Sequence, residues 1–172
     1  RLNLSIDKKS MKVSGQVTVN EVLANIDWSE NFEIGTEYKS RYAVKANIAD
    51  AKYFEYLGVN SKLLNRNYIN GASYIAILYT ITPEETTHME GEIDLRNMRL
   101  AIPEIEFLKD KGFTAAGYFS ASSNGASISE ITRFELVSAD LKLYGTANFD
   151  ETLGIFRRIN IDRLAFGRTD IK

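Results

Sequence analysis

The sequence predicts an all-β protein, an antiparallel and strongly curved open sheet with one or two short connector helices. Apolar and polar residues alternate through most of the chain, as in strands that are buried on one face. Turn-forming runs such as Pro83-Glu84 and Asn124-Gly125 separate the alternating stretches. A glycine stands near the centre of four predicted strands. Together these features favour a repeated, one-sided strand unit.

The alternating stretches run from Met11 to Val19, Tyr38 to Ile48, Met89 to Leu95, Met98 to Ile102 after a break near Asn97, Phe113 to Ala121 and Leu141 to Phe149. In each of them one face is apolar and the other is polar. The stretch from Ala72 to Thr82 differs, because apolar residues occur on both of its sides. This pattern predicts a strand that is covered on both faces.

Helix is predicted only in connectors. The two candidates are Asp50 to Leu64 and Ile102 to Lys109, which mix charged and aromatic or apolar residues without a clear period of two.

The four mid-strand glycines are Gly15, Gly91, Gly117 and Gly145. Glycine weakens a strand, so its recurrence on the apolar side needs a physical reason. We interpret these residues as sheet-bending positions, at which the sheet curls toward its apolar face. The alternative is that each glycine relieves crowding opposite an aromatic neighbour on the adjacent strand.

Composition excludes several classes of function. The chain has 172 residues, a formal net charge of −2, no cysteine and one histidine, His88. A basic nucleic-acid footprint, thiol chemistry and Cys-based metal sites are therefore not expected. The acidic pairs Glu84-Glu85 and Glu104 with Glu106 are interpreted as solvated turn residues. We predict no enzyme activity, no metal and no cofactor.

Residues 1–172 are predicted to form a single β-groove segment. Because the chain begins at Arg1 within an alternating run, we expect it to be an excised fragment of a longer repetitive protein. Its oligomeric state is not predicted by any pattern in the sequence.

A family resemblance lies between Ile48 and about Gly167. The run from Gly91 to Glu104, followed by Lys109 and Gly112, combines a strand, an Asp-Leu turn, a short apolar strand, a proline and a later lysine and glycine. With the later strand around Gly145, it resembles the AsmA-like family of Gram-negative envelope proteins. The resemblance covers about two-thirds of the chain.

The resemblance implies a repeating β-groove, or β-taco, that belongs to a bridge-like lipid transfer protein. Such a segment would shield phospholipid or other acyl-lipid chains in an apolar groove between the inner and outer membranes. The parent protein would lie in the periplasm, be anchored to the inner membrane and support outer-membrane lipid homeostasis, with both membranes contacted through other parts of it. The implied lipid-groove lining consists of Val13, Val17, Val19, Val44, Ile48, Ile75, Ile77, Met89, Ile93, Leu95, Phe113, Phe119, Leu141, Leu143 and Phe149.

Two other functions remain open from the sequence. The chain could be an outer-membrane assembly or scaffold module that acts by adding a client β-strand to a sheet edge. A glycan-binding or glycan-cleaving domain would need exposed aromatic residues beside a pair of carboxylates. Alternation alone does not distinguish aromatic residues that fill a closed core from those that line an open groove.

Overall fold

The computed structural model describes residues 1–19, 21–50, 68–103, 106–124, 130–150, 155–167 and 169–171. These residues form fourteen strands and no α-helix. The strands are β1 Leu2–Ile6, β2 Ser10–Val19, β3 Val22–Asn31, β4 Ser40–Ile48, β5 Ile69–Gly71, β6 Ser73–Ile81, β7 Thr86–Asp94, β8 Met98–Ile102, β9 Phe107–Lys109, β10 Ala115–Asn124, β11 Glu130–Ser138, β12 Leu141–Asp150, β13 Ile155–Phe166 and β14 Thr169–Ile171.

Eleven strands build one main sheet in the order β1-β2-β3-β4-β6-β7-β10-β11-β12-β13-β14. Every pair of neighbours in it is antiparallel. The terminal strands β1 and β14 do not pair with each other, so the sheet is open. The predicted all-β, antiparallel, open architecture is confirmed, while its strong curvature stays a prediction.

The main sheet is largely an up-and-down meander because the alternating stretches are joined by short hairpins. Between β6 and β7, for example, the backbone N–H of Glu85 donates to the carbonyl of Thr82 at 3.0 Å, and Glu85 has a φ of 63°. This places the predicted turn at Pro83-Glu84 where the sequence indicated it. The Asn124-Gly125 turn lies partly outside the described residues, but β10 and β11 are antiparallel neighbours.

The remaining three strands form a small second sheet in the order β5-β8-β9. The chain leaves the main sheet after β7, turns at Arg96-Asn97 and enters β8. The predicted helix from Ile102 to Lys109 is wrong, because Phe107–Lys109 is a strand paired with β8. Phe107 and Lys109 are buried while Leu108 between them is 55% exposed, which is strand periodicity. The other predicted helix, Asp50 to Leu64, lies almost entirely outside the described residues.

The hydrophobic core lies where the small sheet packs against one end of the main sheet. Ile48 and Leu141 of the main sheet and Met98 of β8 are fully buried there. Phe107 of β9 packs edge-on against Phe166 of β13, with ring centroids 5.9 Å apart. The small sheet therefore covers one end of the main sheet's apolar face.

Candidate functional site: the apolar face of the main sheet

The strand register joins the apolar sides of all eleven strands into one face of the main sheet. Antiparallel pairing places directly opposed residues on the same face, so each row of partners can be followed from strand to strand. The middle row is Leu2, Gly15, Ile26, Val44, Ile77, Gly91, Phe119, Phe134, Gly145 and Ile161.

Two further rows flank the middle row on the same face. The lower row, nearer the small sheet, is Val17, Ala24, Ala46, Ile75, Ile93, Gly117, Leu136, Leu143, Leu164 and Ile171. The upper row is Leu4, Val13, Trp28, Tyr42, Tyr79, Met89, Ala121, Ile131, Ala147 and Ile159. None of the three rows contains a charged residue. We call the three rows together the apolar face.

Burial varies along the rows of the apolar face. Residues of the lower row pack into the core with the small sheet, and Ala24, Ala46 and Ile75 are at most 6% exposed. At the β13 end, Ile159 and Ile161 are 45% and 50% exposed. In the upper row, Ala121 and Ala147 are only 3% and 2% exposed, whereas Leu4 at the β1 end is 65% exposed. The apolar face is therefore covered by the small sheet along part of its lower row and is most exposed at its β1 and β13 ends.

Most of the predicted lining residues are on this face. They include Val13 and Val17 of β2, Val44 of β4, and Leu143 of β12, all of which are partly buried. Ile75, a member of the lower row, is buried in the core together with Ile48, Leu95 and Leu141.

Three other predicted lining residues lie at a strand end, in a turn, or at a position of which only the backbone is described. Val19, at the end of β2, is 48% exposed. Phe113 was expected to begin a strand, but β10 begins at Ala115 and Phe113 lies in the preceding turn with 66% of its surface exposed. For Phe149 only the backbone, in β12, belongs to the described part of the chain.

The structure explains two of the four glycines by the space that they leave for an aromatic ring. Phe119 lies opposite Gly91, and Phe134 lies opposite Gly145. A Cβ at position 91 would lie 2.9 Å from Phe119 Cδ1, and one at position 145 would lie 2.7 Å from Phe134 Cζ. Both contacts match the crowding alternative.

The other two glycines behave differently. Gly15 has a φ of 141°, a backbone conformation that L-residues rarely adopt, and a Cβ added there would collide with the backbone carbonyl of Arg1. Around Gly117 the nearest atom to an added Cβ is Leu95 Cδ1 at 3.7 Å, so no crowding requires glycine there. The bending role of the four glycines stays a prediction.

An aromatic cluster with one carboxylate stands at the upper margin of the apolar face. The rings of Trp28 and Tyr42 stack with centroids 5.5 Å apart, and Tyr79 meets Tyr42 edge-on at 5.9 Å. Glu30 follows Trp28 on the same face and accepts three hydrogen bonds, from Trp28 Nε1 at 2.8 Å, Ser40 Oγ at 2.6 Å and the Tyr42 hydroxyl at 3.1 Å. We call these five residues the aromatic–Glu30 cluster.

Burial and the neighbouring Glu30 carboxylate both raise the pKa of Tyr42 above its usual value. Burial is the larger cause, because removing the phenolate from water disfavours its charge, and the negative charge of Glu30 adds to this effect. The hydroxyl of Tyr42 is therefore a neutral donor at physiological pH. Sequence reasoning missed this cluster, because Glu30 meets Ser40 and Tyr42 only through the register of β3 and β4.

Lys109 is a buried cation that holds the small sheet together. Only 5% of it is exposed, and its ammonium donates to the backbone carbonyls of Met98 at 2.6 Å, Asp110 at 3.1 Å and Arg96 at 3.3 Å. Burial lowers the pKa of Lys109, while the nearby carboxylates of Asp110 and Asp94 oppose that shift. This lysine belongs to the run that carries the family resemblance, and its contacts give it a structural role.

The opposite face of the main sheet carries a depression of about 550 Å³ that crosses β4, β6, β7, β10 and β11. Its walls combine small or apolar side chains, such as Ala43, Ala76 and Leu78, with charged ones, including Lys45 and an Arg133–Glu135 ion pair. The expected double coverage of Ala72 to Thr82 is wrong, because Tyr74 is 39% exposed and Leu78 faces this depression. The sequence signal for the depression was that apolar residues occur on both sides of the stretch from Ala72 to Thr82.

No family model, curated protein or solved structure matches the chain. Its function must therefore be inferred from the two faces and the edges of the sheet.

Other kinds of site find little support in the described part of the chain. No group of three or more His, Asp or Glu residues there could hold a metal ion. None of the described segments is a helix of the length and apolar character needed to cross a bilayer. His88 is exposed on the polar face of β7, opposite Thr80 and Ser122.

Proposed function

We propose that this chain is a segment of a bridge-like lipid transfer protein that shields phospholipid acyl chains on its apolar face. The parent protein would act in the periplasm, between the inner and outer membranes, and support lipid homeostasis of the outer membrane. The observation that carries the proposal is the uninterrupted apolar face across eleven strands. The resemblance to AsmA-like proteins supports the same function, and the proposal involves neither catalysis nor a cofactor.

The dimensions of the face suit acyl chains. Ten inter-strand spacings of about 4.8 Å give a track roughly 48 Å long, and its middle and upper rows lie about 7 Å apart along the strands. Exposing one methylene group to water costs about 0.8 kcal/mol, so an acyl chain of 16 carbons faces a barrier of roughly 10 kcal/mol or more. A continuous apolar track removes most of that barrier without any specific pocket.

The two faces can be tested separately with a matched pair of variants. Ile161→Glu places a charge on the apolar face, and Tyr118→Glu places one in the depression on the opposite face. Both side chains are large and similarly exposed, at 50% and 43%, so both variants are expected to fold. Photo-crosslinking to a phospholipid with a photoreactive acyl chain should fall at least about fivefold in Ile161→Glu, since a charge opposes acyl contact. It should remain near the wild-type yield in Tyr118→Glu.

The reverse result, a loss in Tyr118→Glu alone, would place the ligand in the depression and reject the apolar face as the lipid track. Failure of wild-type protein to crosslink or to co-purify with any phospholipid would reject the lipid function itself.

A second function, strand addition, is favoured by the exposed apolar side chains of β1, a terminal strand of the main sheet. Leu2, Leu4 and Ile6 are 52%, 65% and 64% exposed, and β1 pairs only with β2 among the described residues. Exposed edge strands with apolar alternation are templates for another strand. An assembly or scaffold module would use this edge to bind a client.

The edge is tested with a synthetic peptide of the β2 sequence, Ser10–Val19, which pairs with β1 inside the protein. If β1 accepts a strand, excess peptide should slow hydrogen exchange of the β1 amides by about tenfold or more, because newly paired amides are protected. The same peptide with proline at its centre is the control. Equal exchange with both peptides would argue against strand addition.

A further inference from the structure

We propose that the aromatic–Glu30 cluster binds an organic ammonium group, the amine end of a zwitterionic phospholipid whose acyl chains lie on the apolar face. This inference rests on the proposed lipid function and adds a head-group preference to it. It begins from the position of the cluster. Trp28, Tyr42 and Tyr79 are one row away from Ile26, Val44 and Ile77 of the middle row.

Two residues along a strand correspond to about 7 Å. The aromatic rings therefore stand beside the apolar rows, and Glu30 stands one step further toward the sheet margin. A lipid on the apolar face would meet hydrocarbon contacts first, then aromatic rings, and then a carboxylate. This order matches the change from acyl chains to polar head group along the lipid.

The hydrogen-bond partners of Glu30 hold its carboxylate in place, but none of them carries a positive charge. Its three hydrogen bonds come from an indole, an alcohol and a phenol, all of which are neutral donors. Among the ion pairs of the described residues, none includes Glu30. Ser40, only 4% exposed, holds one carboxylate oxygen from the buried side. The site thus presents a fixed negative charge that a cation would complement.

The aromatic rings attract cations as well, in addition to the attraction by the Glu30 carboxylate. The Trp28 and Tyr42 rings are nearly parallel, with an interplanar angle of 19°, and Tyr79 is inclined to Tyr42 by 65°. Tyr42 and Tyr79 therefore form a corner in which a ring face and a ring edge meet. Faces of Trp and Tyr attract ammonium groups through their negative quadrupole, and desolvation strengthens the attraction. An anionic head group would instead be repelled by Glu30.

The chain contains a single tryptophan, Trp28, so its fluorescence reports on this cluster alone. Short-chain dihexanoyl phosphatidylcholine, phosphatidylethanolamine and phosphatidylglycerol are titrated below their micelle concentrations while Trp28 emission is recorded. We expect the two zwitterionic lipids to bind roughly 10-fold more tightly than phosphatidylglycerol. Free choline and ethanolamine are titrated in parallel to separate a lipid head group from a small soluble amine.

Glu30→Gln removes the charge but keeps an oxygen acceptor for Trp28 or Ser40. It should reduce the preference for zwitterionic lipids over phosphatidylglycerol to less than about twofold. Glu33→Gln is the matched control. Its side chain is 51% exposed and paired with Lys9, so the same loss of charge there should leave the preference intact. Tyr79→Leu removes the aromatic corner while keeping Glu30 and should weaken binding of the methylated amine most. Urea midpoints of all variants verify that they are folded.

The outcomes separate this site from the lipid function. Equal binding of all three lipids, or a preference that survives Glu30→Gln, overturns the ammonium site and leaves the lipid function standing. Free choline binding as tightly as phosphatidylcholine overturns the lipid head-group assignment. A Glu30-dependent response to choline without a response to any lipid supports the ammonium site and overturns the lipid head-group assignment. No response to any amine or lipid overturns the ammonium site, while the lipid function is decided separately by whether wild-type protein crosslinks to phospholipid.

Discussion

Gly145→Ala is expected to lower the free energy of unfolding by about 2 to 3 kcal/mol, the usual cost of overpacking a well-filled site. The added methyl group would collide with the backbone carbonyl of Asn160 and lie 2.7 Å from Phe134 Cζ. The ring of Phe134 can rotate away, but the carbonyl of Asn160 belongs to β13. The register of β12 and β13 shifts between Tyr144 and Gly145, so the close approach is built into the sheet backbone.

Gly117→Ala is the control, because Gly117 is a strand glycine on the same face of the main sheet, near the start of β10. The nearest atom to its added Cβ is 3.7 Å away, which is ordinary contact. Its unfolding free energy should change by less than about 0.5 kcal/mol, as for most substitutions without a named steric cause. Urea denaturation monitored by circular dichroism measures both variants.

The comparison also tests why glycine recurs in these strands. If close contact is the reason, the two variants differ as described. Comparable losses at Gly145 and Gly117 would contradict the contact explanation and favour the bending role that the sequence suggested, since bending would need glycine at both positions.

Lys109→Met should lower the free energy of unfolding by about 2 to 4 kcal/mol. Methionine has a similar length and is apolar, so the loss isolates the three hydrogen bonds from the ammonium to the carbonyls of Arg96, Met98 and Asp110. These carbonyls would remain without the lysine donor near the core that joins the two sheets. Lys142→Met, at an exposed position of β12, is the control and should be nearly neutral.

The pH dependence of this difference follows from the lowered pKa of Lys109. Between its folded-state pKa and the ordinary value of 10.5, the unfolded chain binds the proton more strongly than the folded one. Stability contributed by this group therefore rises with pH in that window. The gap between wild type and Lys109→Met should widen as pH approaches 10.5, because deprotonation removes the cost of burying the charge and the neutral amine still donates up to two hydrogen bonds. A gap that narrows would show that the charged form is the stabilising one.

The sequence predicted which residues lie on the apolar face better than it predicted where the strands begin and end. Val13, Val44 and Ile93 were assigned to one side of their strands by alternation, and the register places all three on one face. Side chains alternate strictly along a strand, and hairpins align neighbouring strands, so local periodicity carries this information. Phe113 was misplaced because the strand begins two residues later, and periodicity does not define a strand end.

The small sheet was hidden from sequence reasoning. Phe107–Lys109 is only three residues long, too short for a periodic signal, and was interpreted as part of a helix. Its strand conformation depends on pairing with β8 and on burial of Phe107 against Phe166, which is distant in the sequence. Such tertiary contacts override local preference.

By itself, the sequence determined that the chain forms an antiparallel sheet with one apolar face, because the period of two is a local property of side-chain geometry. Only the tertiary structure decided which part of that face the small sheet covers, and which part stays accessible. It also decided that Glu30 meets Trp28, Ser40 and Tyr42, since that meeting depends on how β3 and β4 align. The covering of a sheet face and the clustering of side chains depend on contacts between strands. The residue pattern within a single strand therefore does not predict them.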